Sequence, residues 1–215
     1  MRKLGVVLLA VLVCLCLILT ACGSEPEPAD ETSESTEQPV NVTEPAETDS
    51  TEADDTTGKD VLVVYFSATG TTKGVAEKIA KITGADVYEI IPAEPYTSDN
   101  LNYSDNESRA TQEQNDKTVR PEIAGDDVSF EGYSTVYLGF PIWWGQEPRI
   151  MDTFAESHDF TGLTVIPFCT SGSSGIGNSG TNLEELAGTG TWLPGARHEG
   201  NISEEELQAW IDGLN

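Results

Sequence analysis

The sequence predicts an α/β domain of three layers, a five-stranded parallel sheet with helices on both faces, over residues 60–215. Two observations predict it. Short apolar runs alternate with stretches whose apolar residues recur at helical spacing, the pattern of a parallel sheet wound with crossover helices. The first run, Val61 to Phe66, is apolar at nearly every position, as a strand covered on both faces must be.

The elements follow in order. After the first strand, Thr72 to Ile82 places Val75, Ile79 and Ile82 on one stripe and so predicts a helix. Asp86 to Ile91 is a second strand and Thr135 to Phe140, "TVYLGF", a third. Pro148 to Ser157 predicts a helix with Ile150, Met151 and Phe154 inward. Leu163 to Cys169, "LTVIPFC", is the fourth strand, and Thr181 to Leu186 a short helix. "TWLPGARH" is a weaker fifth strand in which Pro194 implies an edge or a bulge. Ser203 and Glu206 stand at capping-box spacing before a last helix with Leu207, Trp210, Ile211 and Leu214 facing the core.

Ligands of such sheets bind beyond the carboxyl ends of the strands. The first of these ends carries "SATGTT": Ser67, Ala68, Thr69, Gly70, Thr71 and Thr72. It lacks both the Walker spacing and the G-x-G-x-x-G fingerprint. What it offers is hydroxyls and the free backbone N–H groups of a helix start, which can bind a phosphate without any cation. The plainer reading is a helix cap, for which one or two hydroxyls suffice. Lys73 reads as a solvated surface charge rather than a phosphate ligand.

"SATGTT" resembles the FMN-phosphate loop of the flavodoxins, and two later segments resemble the same family in order and spacing. "GFPIWWG", Gly139 to Gly145, follows the third strand, and "CTSGSSGIG", Cys169 to Gly177, follows the fourth. With "RPEI" and the double tryptophan, the chain is similar to bacterial flavodoxin-like proteins, some of them lipoproteins. The resemblance implies FMN as cofactor, with its phosphate on residues 67–72. It implies that Pro141, Ile142, Trp143, Trp144 and Gly145 stand beside the flavin ring; adjacency at a strand end points the two tryptophans opposite ways, so that one of them packs inward and one reaches the ligand. Thr170, Ser171, Gly172 and Gly175 would then run along the pyrimidine edge.

Residues 92–131 exceed a minimal fold of this kind. They are polar, with a possible helix over Asn106 to Lys117, and read either as a lid over the flavin or as a cap on the sheet. Cys169, at the end of an apolar strand, reads as a small buried hydrophobe. His158 and His198, the two histidines, read as solvated loop or strand-end residues. No metal-ligand spacing and no G-x-S-x-G elbow is present, so no residue is assigned as a general acid, base or metal ligand.

The amino-terminal end reads as an address. Arg2 and Lys3 precede an apolar run from Leu4 to Thr20, a secretory pattern. "LTAC", Leu19 to Cys22, resembles the lipobox of bacterial lipoproteins, which implies a signal peptide over 1–21 and lipid on Cys22. A simple secretory signal and an uncleaved membrane-spanning anchor are the alternatives. Residues 22–59 then form an acidic linker with twelve Asp and Glu and almost no large apolar residue, which predicts disorder. Of 37 acidic and 11 basic residues, 25 and 8 fall in residues 60–215, a net charge of −17. Such a balance excludes nucleic acid and an electrostatic grip on an anionic membrane.

These readings converge on an FMN protein lipid-anchored at the extracytoplasmic face of a bacterial cell membrane. Its expected partners are redox proteins or small electron acceptors. It is expected to be an electron carrier or an NAD(P)H/quinone-type oxidoreductase, with a flavin-free binding module as the third reading.

Overall fold

Alternate residues of β1 (Val61–Tyr65) serve opposite faces of the sheet, and both faces are covered. The computed structural model describes residues 60–214, so the apolar run, Cys22 and the acidic linker lie outside the described residues. The remaining elements are α1 (Thr71–Thr83), β2 (Asp86–Glu89), β3 (Ile91–Pro92), α2 (Arg109–Asn115), β4 (Ile123–Ala124) and β5 (Thr135–Pro141). They continue with α3 (Arg149–Ser157), β6 (Thr164–Thr170), α4 (Ser179–Ala187), β7 (Thr191–Trp192), β8 (Ala196–His198) and α5 (Glu204–Asp212).

The main sheet runs β2-β1-β5-β6-β7, with β8 also on β6, and every pairing in it is parallel. Successive strands run outward from β1 in one direction and from β5 in the other. The carboxyl ends of β1 and β5 therefore flank the switch point where a crevice must open. Val63 and Tyr65 face α1 and α5, packing with Val75, Ile79, Leu207 and Ile211. Leu62, Val64 and Phe66 face α3 and α4, packing with Ile150, Met151, Phe154 and Leu183. Among the described residues no helix is long and apolar enough to cross a membrane.

Three expectations shift in detail. The fifth strand position is shared by β7 and β8: the last bond of β7 to β6 is from the Leu193 N–H to the Val165 carbonyl, pairing resumes at Ala196, and Pro194 between them has no N–H to donate. The second strand stops at Glu89, and Ile91–Pro92 turns away to pair antiparallel with β4. The helix of residues 92–131 is shorter than expected and well docked, with Ala110, Thr111, Glu113 and Gln114 buried. Ser203 and Glu206 form the expected capping box on α5.

Candidate functional site

The turn after β1 does not spend its hydroxyls on capping. The N-cap of α1 is Gly70, held at φ 84° without any side-chain cap bond. That left-handed backbone favours glycine. The first N–H groups of a helix have no partner within it, and the dipole makes this end positive. The hydroxyls of Thr69 and Thr71 stand 3.3 Å apart beside it. Ser67 Oγ is buried and meets no protein partner. Thr72 Oγ1 shares a buried 2.8 Å hydrogen bond with Thr170 Oγ1, which ties the turn after β1 to the end of β6.

A cleft of about 540 Å³ opens over these strand ends. Of the predicted residues, Thr69, Thr71, Pro141, Ile142, Trp143, Thr170, Ser171 and Gly172 line it. Three segments far apart in sequence are thus brought together, and the N–H of Ile142 donates to the Thr170 carbonyl at 3.0 Å across them. The other predicted residues do not line the cleft. Ser67 and Ala68 line a smaller neighbouring pocket with Tyr96 and Glu89. Gly70 and Thr72 sit between the lining threonines, where one shapes the backbone and the other is consumed by Thr170. Gly175 lies beyond a turn closed by Ser171 Oγ donating to the Ser174 carbonyl, and so away from the wall.

Trp144 and Gly145 form the middle of a tight hairpin turn. Trp143 and Gln146 exchange backbone hydrogen bonds of 2.9 and 3.0 Å, with Trp144 at φ 51° and Gly145 at φ 80°. Two left-handed residues in succession are what such a turn requires. The turn sends the tryptophans different ways. Trp143 is 4 % exposed, edge-on to Phe66 and Tyr96. Trp144 is 49 % exposed; its Nε1 donates to Thr111 Oγ1 at 3.1 Å and its ring meets Tyr103.

Six further residues line the cleft that the sequence reading missed. Leu101 and Tyr103 come from the long segment between β3 and β4, Arg197 lies within β8, and Glu199, Gly200 and Asn201 follow it. The carboxyl-end rule could have found the second group, since "ARHEG" closes the fifth strand position. Arg197 donates from Nε and Nη2 to the Ser171 carbonyl at 3.2 and 2.8 Å. It also meets Glu199 at 3.3 Å.

The charged and reactive residues nearby have other partners. Lys73 pairs with Glu89 at 3.0 Å, and Glu89 also accepts from the Tyr65 hydroxyl. Burial pushes the Cys169 thiol up to about 12, so it carries no thiolate at neutral pH. The histidines are not solvated as expected. His198 is buried against the Trp210 ring and its pKa is lowered by desolvation, and His158 lies on Phe154. Among the described residues no trio of His, Cys, Asp or Glu could hold a metal.

The fold and cleft define a doubly wound α/β protein with a cleft at the switch point. The family model described as flavodoxin matches residues 60–214. A Bacteroides eggerthii protein classed as a flavoprotein is 43% identical, with 72% of this chain and 97% of its own covered and a TM-score of 0.67. A Bacteroides uniformis protein of the same class is also 43% identical, with 72% and 99% covered and a TM-score of 0.68. A flavoprotein from Lactobacillus acidophilus in complex with FMN shares the fold at 24% identity, with 71% and 98% covered and a TM-score of 0.54. No curated protein matches. The chain belongs to the flavodoxin family.

Proposed function

We propose that the protein holds one FMN in the cleft and carries electrons at the extracytoplasmic face of a bacterial membrane, anchored by lipid on Cys22. The observation that carries the flavin reading is the turn after β1: hydroxyls and helix amides assembled at a strand end, and not used as a cap. The residues fit the group. Thr69 and Thr71 present hydroxyls to the cleft and α1 directs its positive end at the same place, while Ser67 Oγ, buried without a protein partner, stands in the neighbouring pocket. A dianionic phosphate would be held there by hydroxyls and amides, with Lys73 engaged elsewhere.

Bound FMN supplies one- or two-electron chemistry, and the chain supplies position. Pro141, Ile142 and Trp143 would form one wall beside the ring. Thr170, Ser171 and Gly172 would offer backbone N–H groups to its pyrimidine edge. Arg197 occupies the Ser171 carbonyl and so fixes the orientation of that loop. The Thr72–Thr170 hydrogen bond sets the spacing between the phosphate turn and the ring loop.

The acidic surface suits docking with a redox protein that presents a basic face. A second reading, an FMN-dependent NAD(P)H/quinone-type oxidoreductase, is favoured by Leu101 and Tyr103. They bring the insertion to the cleft, where a small acceptor would be selected. The experiment is a titration of the full chain with FMN, followed by anaerobic reduction with electrons counted and NADH or NADPH offered as donor. Stoichiometric binding and reduction in one-electron steps without nicotinamide support the carrier. Nicotinamide oxidation in two-electron steps supports the reductase. Absence of FMN binding overturns both and leaves a flavin-free binding module. Labelling of the protein by a fatty acid, lost in Cys22→Ala, tests the anchor.

A further inference from the structure

The loop between β8 and α5 runs past the phosphate turn, and one glycine in it answers to that turn. Gly200 is exposed and its backbone is not left-handed, so the chain path itself does not call for glycine. What the position lacks is room. A Cβ there would stand 2.6 Å from Thr71 Cγ2, well inside contact distance. The Thr71 methyl therefore rests on the bare backbone of Gly200. Gly139, Gly190 and Gly195 are crowded as well, but by Phe168, Phe160 and Pro167, side chains that pack the fold. Gly200 is crowded by a threonine that lines the cleft.

The loop is held in place on both sides of this contact. Before it, Arg197 donates to the Ser171 carbonyl at 2.8 Å. After it, the Ile202 N–H donates to the Glu199 carbonyl at 3.0 Å, and Ile202 packs against the core. Lys78 Nζ donates to the Ile202 carbonyl at 2.6 Å. Lys78 belongs to α1, about two turns beyond Thr71, so the helix that carries the threonine also grips the loop. A side chain added at position 200 would thus displace Thr71 rather than the loop. Threonine has a single side-chain rotor with staggered wells, on which methyl and hydroxyl turn together. Seating the methyl fixes the hydroxyl, which stands 3.3 Å from Thr69 Oγ1, the other threonine of the cleft.

We propose that Gly200 determines specificity for a phosphorylated flavin: by leaving room for the Thr71 methyl, it keeps the Thr71 hydroxyl aimed at the phosphate. The inference rests on the FMN reading given above. Gly200 acts through Thr71 and is a positioning residue. Any side chain in its place drives the methyl into another well and carries the hydroxyl away from Thr69. The loops after β5 and β6 do not depend on this rotor, so the effect falls on the phosphate end of the ligand.

The test is a double-mutant cycle in the full chain, read as the ratio of FMN to riboflavin affinity. Gly200→Ala should lower the ratio at least tenfold. Thr71→Ser keeps the hydroxyl and removes the methyl, so adding Gly200→Ala to it should change the ratio less than threefold. In the flavin-free chain, NMR couplings from the Thr71 methyl carbon to its backbone nitrogen and carbonyl carbon report the rotamer. They should show one rotamer in the wild type and a different one in Gly200→Ala. Equal losses in the threonine and serine backgrounds, no loss at all, or a wild-type Thr71 averaged over rotamers would overturn the proposal alone. A fixed Thr71 in a chain that binds FMN no better than riboflavin would overturn the phosphate reading, and the proposal with it. The wild-type couplings carry the test even where a variant fails to fold.

Discussion

The cleft and a buried ion cluster lie on either side of one tight turn, for Trp143 lines the first and Gln146 accepts from Arg149 in the second. They hold their polar groups in opposite ways. At the phosphate turn of the cleft the groups are neutral: hydroxyls, backbone N–H and the end of a helix, with Lys73 tied to Glu89. In the cluster the groups are ionic: Glu147 and Asp152 are buried around Arg149, with Arg120 3.8 Å from Asp152. The neutral turn stores little electrostatic strain when its ligand is absent. The ionic one holds paired charges in a low-dielectric interior, where losing one partner is costly. Stability should therefore be far more sensitive to the ion cluster, and flavin affinity to the cleft.

The largest effect expected is that of Arg149→Met, which leaves Glu147 and Asp152 buried without their shared cation and should cost about 3–5 kcal/mol in urea unfolding. A loss under 1 kcal/mol would show that the two carboxylates are neutralised by other means. The same network should govern the pH profile. Asp152 titrates in the folded chain near 6, above its ordinary 3.8, because burial disfavours its charge. The folded state then binds more protons than the unfolded one between about pH 4 and 6, so this group makes stability fall as pH rises through that window. Glu147, Arg149 and Arg120 face it. Asp152→Asn should flatten that part of the profile, and a slope unchanged in the variant would assign it to another group.

Cleft substitutions should cost less stability and more affinity. Thr72→Val leaves the Thr170 hydroxyl buried without its partner. It should cost about 1–3 kcal/mol and weaken FMN binding as the two loops separate. Gly70→Ala places a Cβ at φ 84°, a strain of about 1–2 kcal/mol, and should likewise lower FMN affinity. Ser203→Ala removes the capping box of α5. It should cost about 1 kcal/mol and leave FMN affinity unchanged, which separates loss of stability from loss of the site.

The difference between the regions also explains what could be read in the sequence. The sheet and the three cleft segments were legible because each is written in consecutive residues: a strand, then the turn at its carboxyl end. The split of the fifth position was half legible, since Pro194 marks it. Leu101 and Tyr103 were not, because they come from an irregular stretch whose path depends on what it docks against. The buried ion cluster of Glu147, Arg149 and Asp152 was invisible. "EPRIMD" reads as an ordinary helix start with exposed charges, and charged residues are seldom fully buried. Arg149 is buried because α2 and Gln146 lay their oxygens around it, a long-range event with no local signal. The same holds for His198, a strand-end histidine hidden by Trp210. The fate of the tryptophans lay in between. Their divergence follows from adjacency, but only the left-handed backbone at Trp144 decides which one turns outward.

The central claim is that the cleft reads a phosphate with hydroxyls and amides, not with a cation. It is tested most directly by the ratio of FMN to riboflavin affinity in the full chain, in Thr69→Ala/Thr71→Ala and in Lys73→Met. A hydrogen bond to a charged group is worth about 1.5–3 kcal/mol, so the ratio should be large in the wild-type chain, fall at least tenfold in the double variant and hold in Lys73→Met. A wild-type ratio near one, or a ratio that collapses only in Lys73→Met, would contradict the account.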